Sequence, residues 1–147
     1  MFKKLCFISI LIFLFACNKP QSFNEVIVTD NNELNEAVNN AVAGDKIVMA
    51  NGVWQNVQLN FYAEGNEKKQ IMLCAENDGQ VIIKGESFIK LGGEFITVKG
   101  LHFKNGYTPE GALIKFMINK DTVANHCRIT NCVIEDFSKP NRFEGDH

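Results

Sequence analysis

The chain has 147 residues, 46% of them hydrophobic and 22% charged, with a formal net charge of −2. That length and apolar content suit one domain with a real core and exclude a disordered chain. If Lys3 and Lys4 leave with a leader, Lys plus Arg falls from 15 to 13 against 17 acidic residues. This argues against nucleic acid as a partner, since phosphate binding needs a basic surface. An acidic polysaccharide needs only a local basic groove and stays open.

Lys3 and Lys4 form a basic head, followed by an uncharged apolar run over residues 5–15. The run is too short to cross a bilayer as a helix and has the length of a signal-peptide core. It ends in Leu14-Phe15-Ala16-Cys17, which resembles the bacterial lipobox. Cys17 is therefore the expected site of lipid attachment, with membrane anchoring at the cell envelope and ordinary secretion as the alternative. The expected organisation is a signal peptide over 1–17, a polar tether over 18–24, and a folded part over 25–147.

Residues 30–42 read as a helix. Leu34, Ala37, Val38, Ala41 and Val42 form an apolar stripe at helical spacing. Asp30 is the expected N-cap, Glu33 completes a capping-box pattern, and Gly44 is the expected stop.

After Gly44 short strands recur between Gly, Asn and Asp. Ile47-Val48-Met49, Ile71-Met72-Leu73 and Phe95-Ile96-Thr97 begin 24 positions apart. Val57-Gln58-Leu59 and Val81-Ile82-Ile83 show the same step. Phe88-Ile89-Lys90-Leu91 and Leu113-Ile114-Lys115-Phe116 are displaced by 25. Three interleaved families at this period predict three strands per coil of a parallel β-helix, a single-stranded all-β solenoid. Val98-Lys99-Gly100-Leu101-His102-Phe103 matches Ile129-Thr130-Asn131-Cys132-Val133-Ile134 at an offset of 31, with residues 119–125 as the expected inserted loop. Gly100 and Asn131 then mark one left-handed bend. The amphipathic helix is expected to cap the open first coil. An antiparallel sandwich is the alternative, with Asn51-Gly52 and Asn105-Gly106 as hairpin candidates, but it does not explain the constant step.

Alternation points Leu101 and Phe103 inward and His102 to solvent. Trp54 is expected in the core or against an end of the stack rather than as a sugar platform. Cys74, Cys127 and Cys132 lie in apolar runs and are expected as buried thiols, with a Cys127–Cys132 bridge as the alternative.

Four blocks carry a more specific signal. They are Gly44-Asp45-Lys46-Ile47-Val48-Met49-Ala50-Asn51-Gly52-Val53-Trp54, Gly85-Glu86-Ser87, Phe95-Ile96-Thr97-Val98-Lys99-Gly100-Leu101-His102-Phe103-Lys104-Asn105-Gly106, and His126-Cys127-Arg128-Ile129-Thr130-Asn131-Cys132-Val133-Ile134-Glu135-Asp136-Phe137. In this order and spacing they resemble the start of the chondroitinase B-like polysaccharide lyases (family six), which include alginate lyases. The resemblance spans residues 25–142. It implies a right-handed parallel β-helix that cleaves a uronate polymer by β-elimination. It further implies a Lys base, an Arg acid, and calcium held by acidic and amide side chains.

The resemblance places those groups in coils beyond His147, so no catalytic or metal residue is assigned within the chain, which alone is expected to be inactive. Lys115 and Arg128 are candidates for the edge of a substrate groove, the plainer reading being charges on a solvated strand face. Glu144 and Asp146 lack a calcium-loop pattern. A non-catalytic lipid-anchored adhesin and a pectinase-like hydrolase are the alternative functions.

Overall fold

The computed structural model describes residues 23–138. The expected signal peptide with Cys17, the tether up to residue 22, and Glu144 and Asp146 lie outside the described residues.

The chain enters through β1 (Asn24–Val28) and α1 (Asn31–Asn39). The first coil follows as β2 (Asp45–Met49), β3 (Gly52–Gln55) and β4 (Gln58–Glu64). The second is β5 (Ile71–Ala75), β6 (Val81–Glu86) and β7 (Phe88–Glu94). The third holds β8 (Ile96–Lys99), β9 (Leu101–Tyr107), β10 (Ile114–Lys115), β11 (Met117–Asn119) and β12 (Thr122–Asn125). A fourth coil begins with β13 (Arg128–Thr130) and β14 (Val133–Phe137). Corresponding strands stack into three sheets. The first runs β1-β2-β5-β8-β13, the second β14-β9-β6-β3, and the third joins β4, β7, β10 and β12. Every pairing between coils is parallel; the hairpin of β11 and β12 is antiparallel. This is a parallel β-helix of about three turns, and the sandwich alternative falls with it.

Strand alternation fills the interior. On β4, Leu59, Phe61 and Ala63 are buried while the residues between them are exposed. Ile71, Leu73, Val81, Ile83, Leu91, Ile96, Leu101 and Phe103 complete a column with no exposed surface. Each such side chain contributes about 1.5–3 kcal/mol relative to remaining exposed. Trp54 is buried too, and its indole N–H donates to the Ala50 carbonyl at 3.0 Å.

The helix covers the first coil as expected, through the buried Leu34 and Val38. It is shorter than its apolar stripe, ending at Asn39 with Asn40 as C-cap, so Ala41 and Val42 lie past it and Val42 is exposed. The Asp30 carboxylate accepts from the N–H groups of Asn32 and Glu33 at 2.8 and 2.9 Å. Glu33 reaches back one residue further than in the usual capping box, accepting from the N–H and hydroxyl of Thr29. β1 was not expected; it adds an outer strand to the first sheet, Val26 facing Ile47 in register.

The regular 24-residue step needs correction. Ile47 pairs with Leu73 and Ile71 with Ile96, offsets of 26 and 25. The second expected family is a mispairing, since Val81 pairs with Gly52, whereas β4 belongs to the third sheet with β7. The 25-residue and 31-residue matches hold: Lys115 pairs with Lys90, and Val133 with His102. The inserted stretch is not a plain loop. It forms the hairpin turn and β12, which rejoins the sheet through Ala124 opposite Gly93.

The bend shared by Gly100 and Asn131 is left-handed at both, with φ of 79° and 51°. A side chain at Gly100 would be strained by its φ and would displace Asp78. A Cβ on Gly100 would stand 2.4 Å from Asp78 Oδ1, whose partner oxygen accepts from Asn131 Nδ2 at 3.0 Å. The same handedness recurs 31 positions apart at Phe95 and His126, whose rings stack at 4.6 Å. No helix among the described residues is long and apolar enough to cross a membrane.

Candidate functional site

The outer face of the third sheet carries a groove and two charged columns. Because β4, β7 and their third-coil partners are in register, outward side chains line up in columns. Asn60, Lys90 and Lys115 form one column, Tyr62 and Gly92 the next, and Glu64, Glu94 and Asn125 the third. The hairpin of β11 and β12 stands over the glycine step: a Cβ on Gly92 would lie 2.8 Å from Thr122 Cγ2 and 3.0 Å from Ile118 Cδ1. A groove of about 740 Å³ results, lined by Tyr62, Glu64, Glu94, Ile118, Thr122 and Asn125.

Charge is separated across this face. Glu64 accepts from the Tyr62 hydroxyl, which raises the tyrosine pKa, and Glu94 accepts from Asn125 Nδ2 at 3.1 Å. On the opposite side Glu110 pairs with Lys90 at 2.8 Å and Lys115 at 3.5 Å. The hydrogen bond from Lys90 is the main reason the Glu110 carboxyl lies below the usual carboxylate range; the charge of Lys115 adds to it. Lys90 Nζ also sits 5.0 Å from the centre of the Phe88 ring.

Lys115, an expected groove-edge residue, thus stands in the cationic column. Arg128 does not join it: it begins β13 in the first sheet, exposed and opposite Thr97. His102 faces outward on the second sheet, where Glu135 of the fourth coil meets it at 3.0 Å and Lys104 at 3.1 Å. Cys74 is buried and Cys127 and Cys132 are half-buried, with no disulfide among them; burial pushes all three thiols up and makes them poor nucleophiles. Among the described residues no three His, Cys, Asp or Glu side chains come together as metal ligands. Glu64 and Glu94 share a register position, and their carboxylates accept from Tyr62 and Asn125.

Lys90, Glu110 and Tyr62 were not singled out from the sequence. Lys90 was within reach, since Phe88-Ile89-Lys90-Leu91 and Leu113-Ile114-Lys115-Phe116 carry their lysines at the same position. Glu110 lies between strands and has no periodic signal.

Comparison with known proteins places this geometry. The family model for chondroitinase B matches residues 28–147. Among solved structures, the PL6 family alginate lyase AlyGC is 42% identical with a TM-score of 0.79, over 84% of this chain and 17% of its own. A mannuronic acid specific family 6 lyase from human gut microbiota is 29% identical with a TM-score of 0.77, over 84% of this chain and 30% of its own. The PL6 lyase Pedsa3628 from Pseudopedobacter saltans is 33% identical with a TM-score of 0.66, over 74% of this chain and 24% of its own. The chain therefore spans less than a third of the length of each of these structures. No curated protein matches it by sequence. With the family model matching residues 28–147 and the coil architecture shared with these lyases, the chain belongs to the chondroitinase B family.

Proposed function

We propose that the protein is the N-terminal part of a polysaccharide lyase acting on an anionic uronate polymer, alginate first and chondroitin or dermatan sulfate second. The observation that carries this reading is the 42% identity to an alginate lyase over 84% of the chain. In β-elimination a base removes the proton at C5 of a uronate and the C4 oxygen leaves, which creates an unsaturated sugar. That proton is weakly acidic, so the developing negative charge must be stabilised by nearby cations or donors. The family resemblance supplies a Lys base, an Arg acid and calcium; none of these roles is assigned to a described residue. Lys115 and Arg128 remain the groove-edge candidates of this reading, Lys115 on the third sheet and Arg128 on the first.

Cys17 as a lipid anchor, and export to the cell envelope, belong to the same reading. They rest on the basic head, the apolar run and the lipobox-like ending. Changing Cys17→Ala should abolish labelling with a fatty-acid analogue, and unchanged labelling would remove the anchor from the account.

The activity is tested by incubating the full-length protein with alginate and with chondroitin and dermatan sulfate. Ultraviolet absorbance from the new double bond is followed with and without a chelator. Chelator-sensitive absorbance on a uronate polymer is expected. Saturated reducing ends without absorbance would indicate a hydrolase, and binding without cleavage an adhesin.

A further inference from the structure

Lys90 and Lys115 occupy the same outward position on adjacent coils, in direct register. Neighbouring strands lie about 4.8 Å apart, so two ammonium groups on one column repel unless an anion sits between them. The structure contains that anion. The Glu110 carboxylate approaches Lys90 to 2.8 Å and Lys115 to 3.5 Å. The two lysines therefore already form a site of the right size and charge for one carboxylate.

The partners are held unequally. Lys90 projects from the middle of β7, its side chain only 15% exposed and its ammonium near the Phe88 ring. Lys115 closes β10, paired to β7. Glu110 comes from the segment between β9 and β10. It is tied there by its own N–H to the Thr108 hydroxyl at 3.2 Å, and Gly111 follows with open space around it. If the pairing opens, Glu110 leaves and the lysines stay.

The neighbouring columns suit a sugar. Two residues along the strand, about 7 Å away, Tyr62 is 52% exposed, with Ile118 and Thr122 of the hairpin standing over its partner Gly92. An aromatic face of this kind takes the apolar side of a pyranose ring. Glu64 and Glu94 on the far side repel an anion, so a uronate bound here would turn its carboxylate toward the lysines.

We propose that Lys90 and Lys115 form a carboxylate subsite for one uronate residue of the polymer, and that Glu110 occupies it in the substrate's absence. This rests on the uronate-polymer reading above. The site binds and orients; no bond-making step is assigned to it.

The test measures dissociation constants of the full-length protein for a saturated alginate tetrasaccharide and for its carboxyl-reduced, neutral counterpart. Lys90→Met and Lys115→Met should each weaken the acidic oligosaccharide about two- to fivefold, the range of one exposed charge pair, while Lys115→Arg retains it. Glu110→Gln removes the internal competitor and should tighten binding by a similar factor. Binding of the neutral oligosaccharide should not follow this pattern. Thermal midpoints of every variant separate binding effects from lost folding.

If Glu110 only pins its loop, Glu110→Gln lowers the thermal midpoint and leaves binding unchanged or weaker, and the subsite is wrong. Lysine variants that bind like wild type overturn it as well, while cleavage by the wild type would leave the lyase reading intact. A wild-type protein that neither binds nor cleaves any uronate polymer would overturn both.

Discussion

Phe103 on β9 and Ile134 on β14 occupy the same register position one coil apart, yet Phe103 is fully buried and Ile134 is 58% exposed. At the other end of the stack, Leu34 and Val38 of α1 lie over the first coil and are as buried as the core itself. Alternation along a strand decides which way a side chain points; its depth depends on a neighbour on either side. The capped end has such a neighbour. Among the described residues the far end offers Phe137, whose ring meets that of Phe103 edge-on at 5.9 Å.

The largest expected effect separates these two positions. Phe103→Ala should cost about 3–5 kcal/mol through the cavity it leaves, whereas Ile134→Ala should change stability by about 0.5 kcal/mol or less. Denaturant unfolding of both variants measures the difference, and equal losses would mean that the fourth coil is packed like the others.

Gly93→Ala probes the interior coils through the backbone. Its φ is 91°, and an added Cβ would stand 2.1 Å from the Ala63 carbonyl oxygen. We expect a loss of about 1–3 kcal/mol or more, read as a lowered denaturation midpoint. Asp30→Ala tests the capped end and should cost about 1 kcal/mol by releasing the N–H groups of Asn32 and Glu33. A silent variant would show that helix capping does not contribute to closing that end.

The smallest effect concerns the link between the third and fourth coils. Glu135 on β14 accepts from Lys104 and lies against His102, both on β9. The Lys104 hydrogen bond, and then that of His102, hold the Glu135 carboxyl below its ordinary value. A depressed carboxyl stabilises the fold fully above the unfolded value of about 4.3 and ceases to do so as pH falls through the lower folded value. Wild type should therefore melt slightly above Glu135→Gln at neutral pH, and the gap should close in acid. A gap that persisted or widened in acid would assign the effect to something other than this carboxylate.

These contrasts also show what the sequence could reveal. The offset of 25 between β7 and β10 and the offset of 31 were legible because they compare blocks of four and six matched residues, and the second carries Gly100 and Asn131 at one bend. The offsets of 26, 29 and 30 between the first two coils were not, because their turns differ in length and contain no shared landmark. A regular 24-residue step therefore assigned Val57 and Val81 to one family although they serve different sheets. The same cause hid the groove. Tyr62 meets Gly92 only through the 30-residue register, and Glu110 enters from a non-repeating segment. Lys115 was visible because its block repeats; its partner in charge was not.

Amide hydrogen exchange on the chain tests most directly the claim that stacking on both sides, rather than strand pattern, gives a coil its stability. The account predicts the strongest protection in β5 through β9, strong protection at the α1-covered first coil, and a marked fall across β13 and β14. Uniform protection extending through β14 would contradict it.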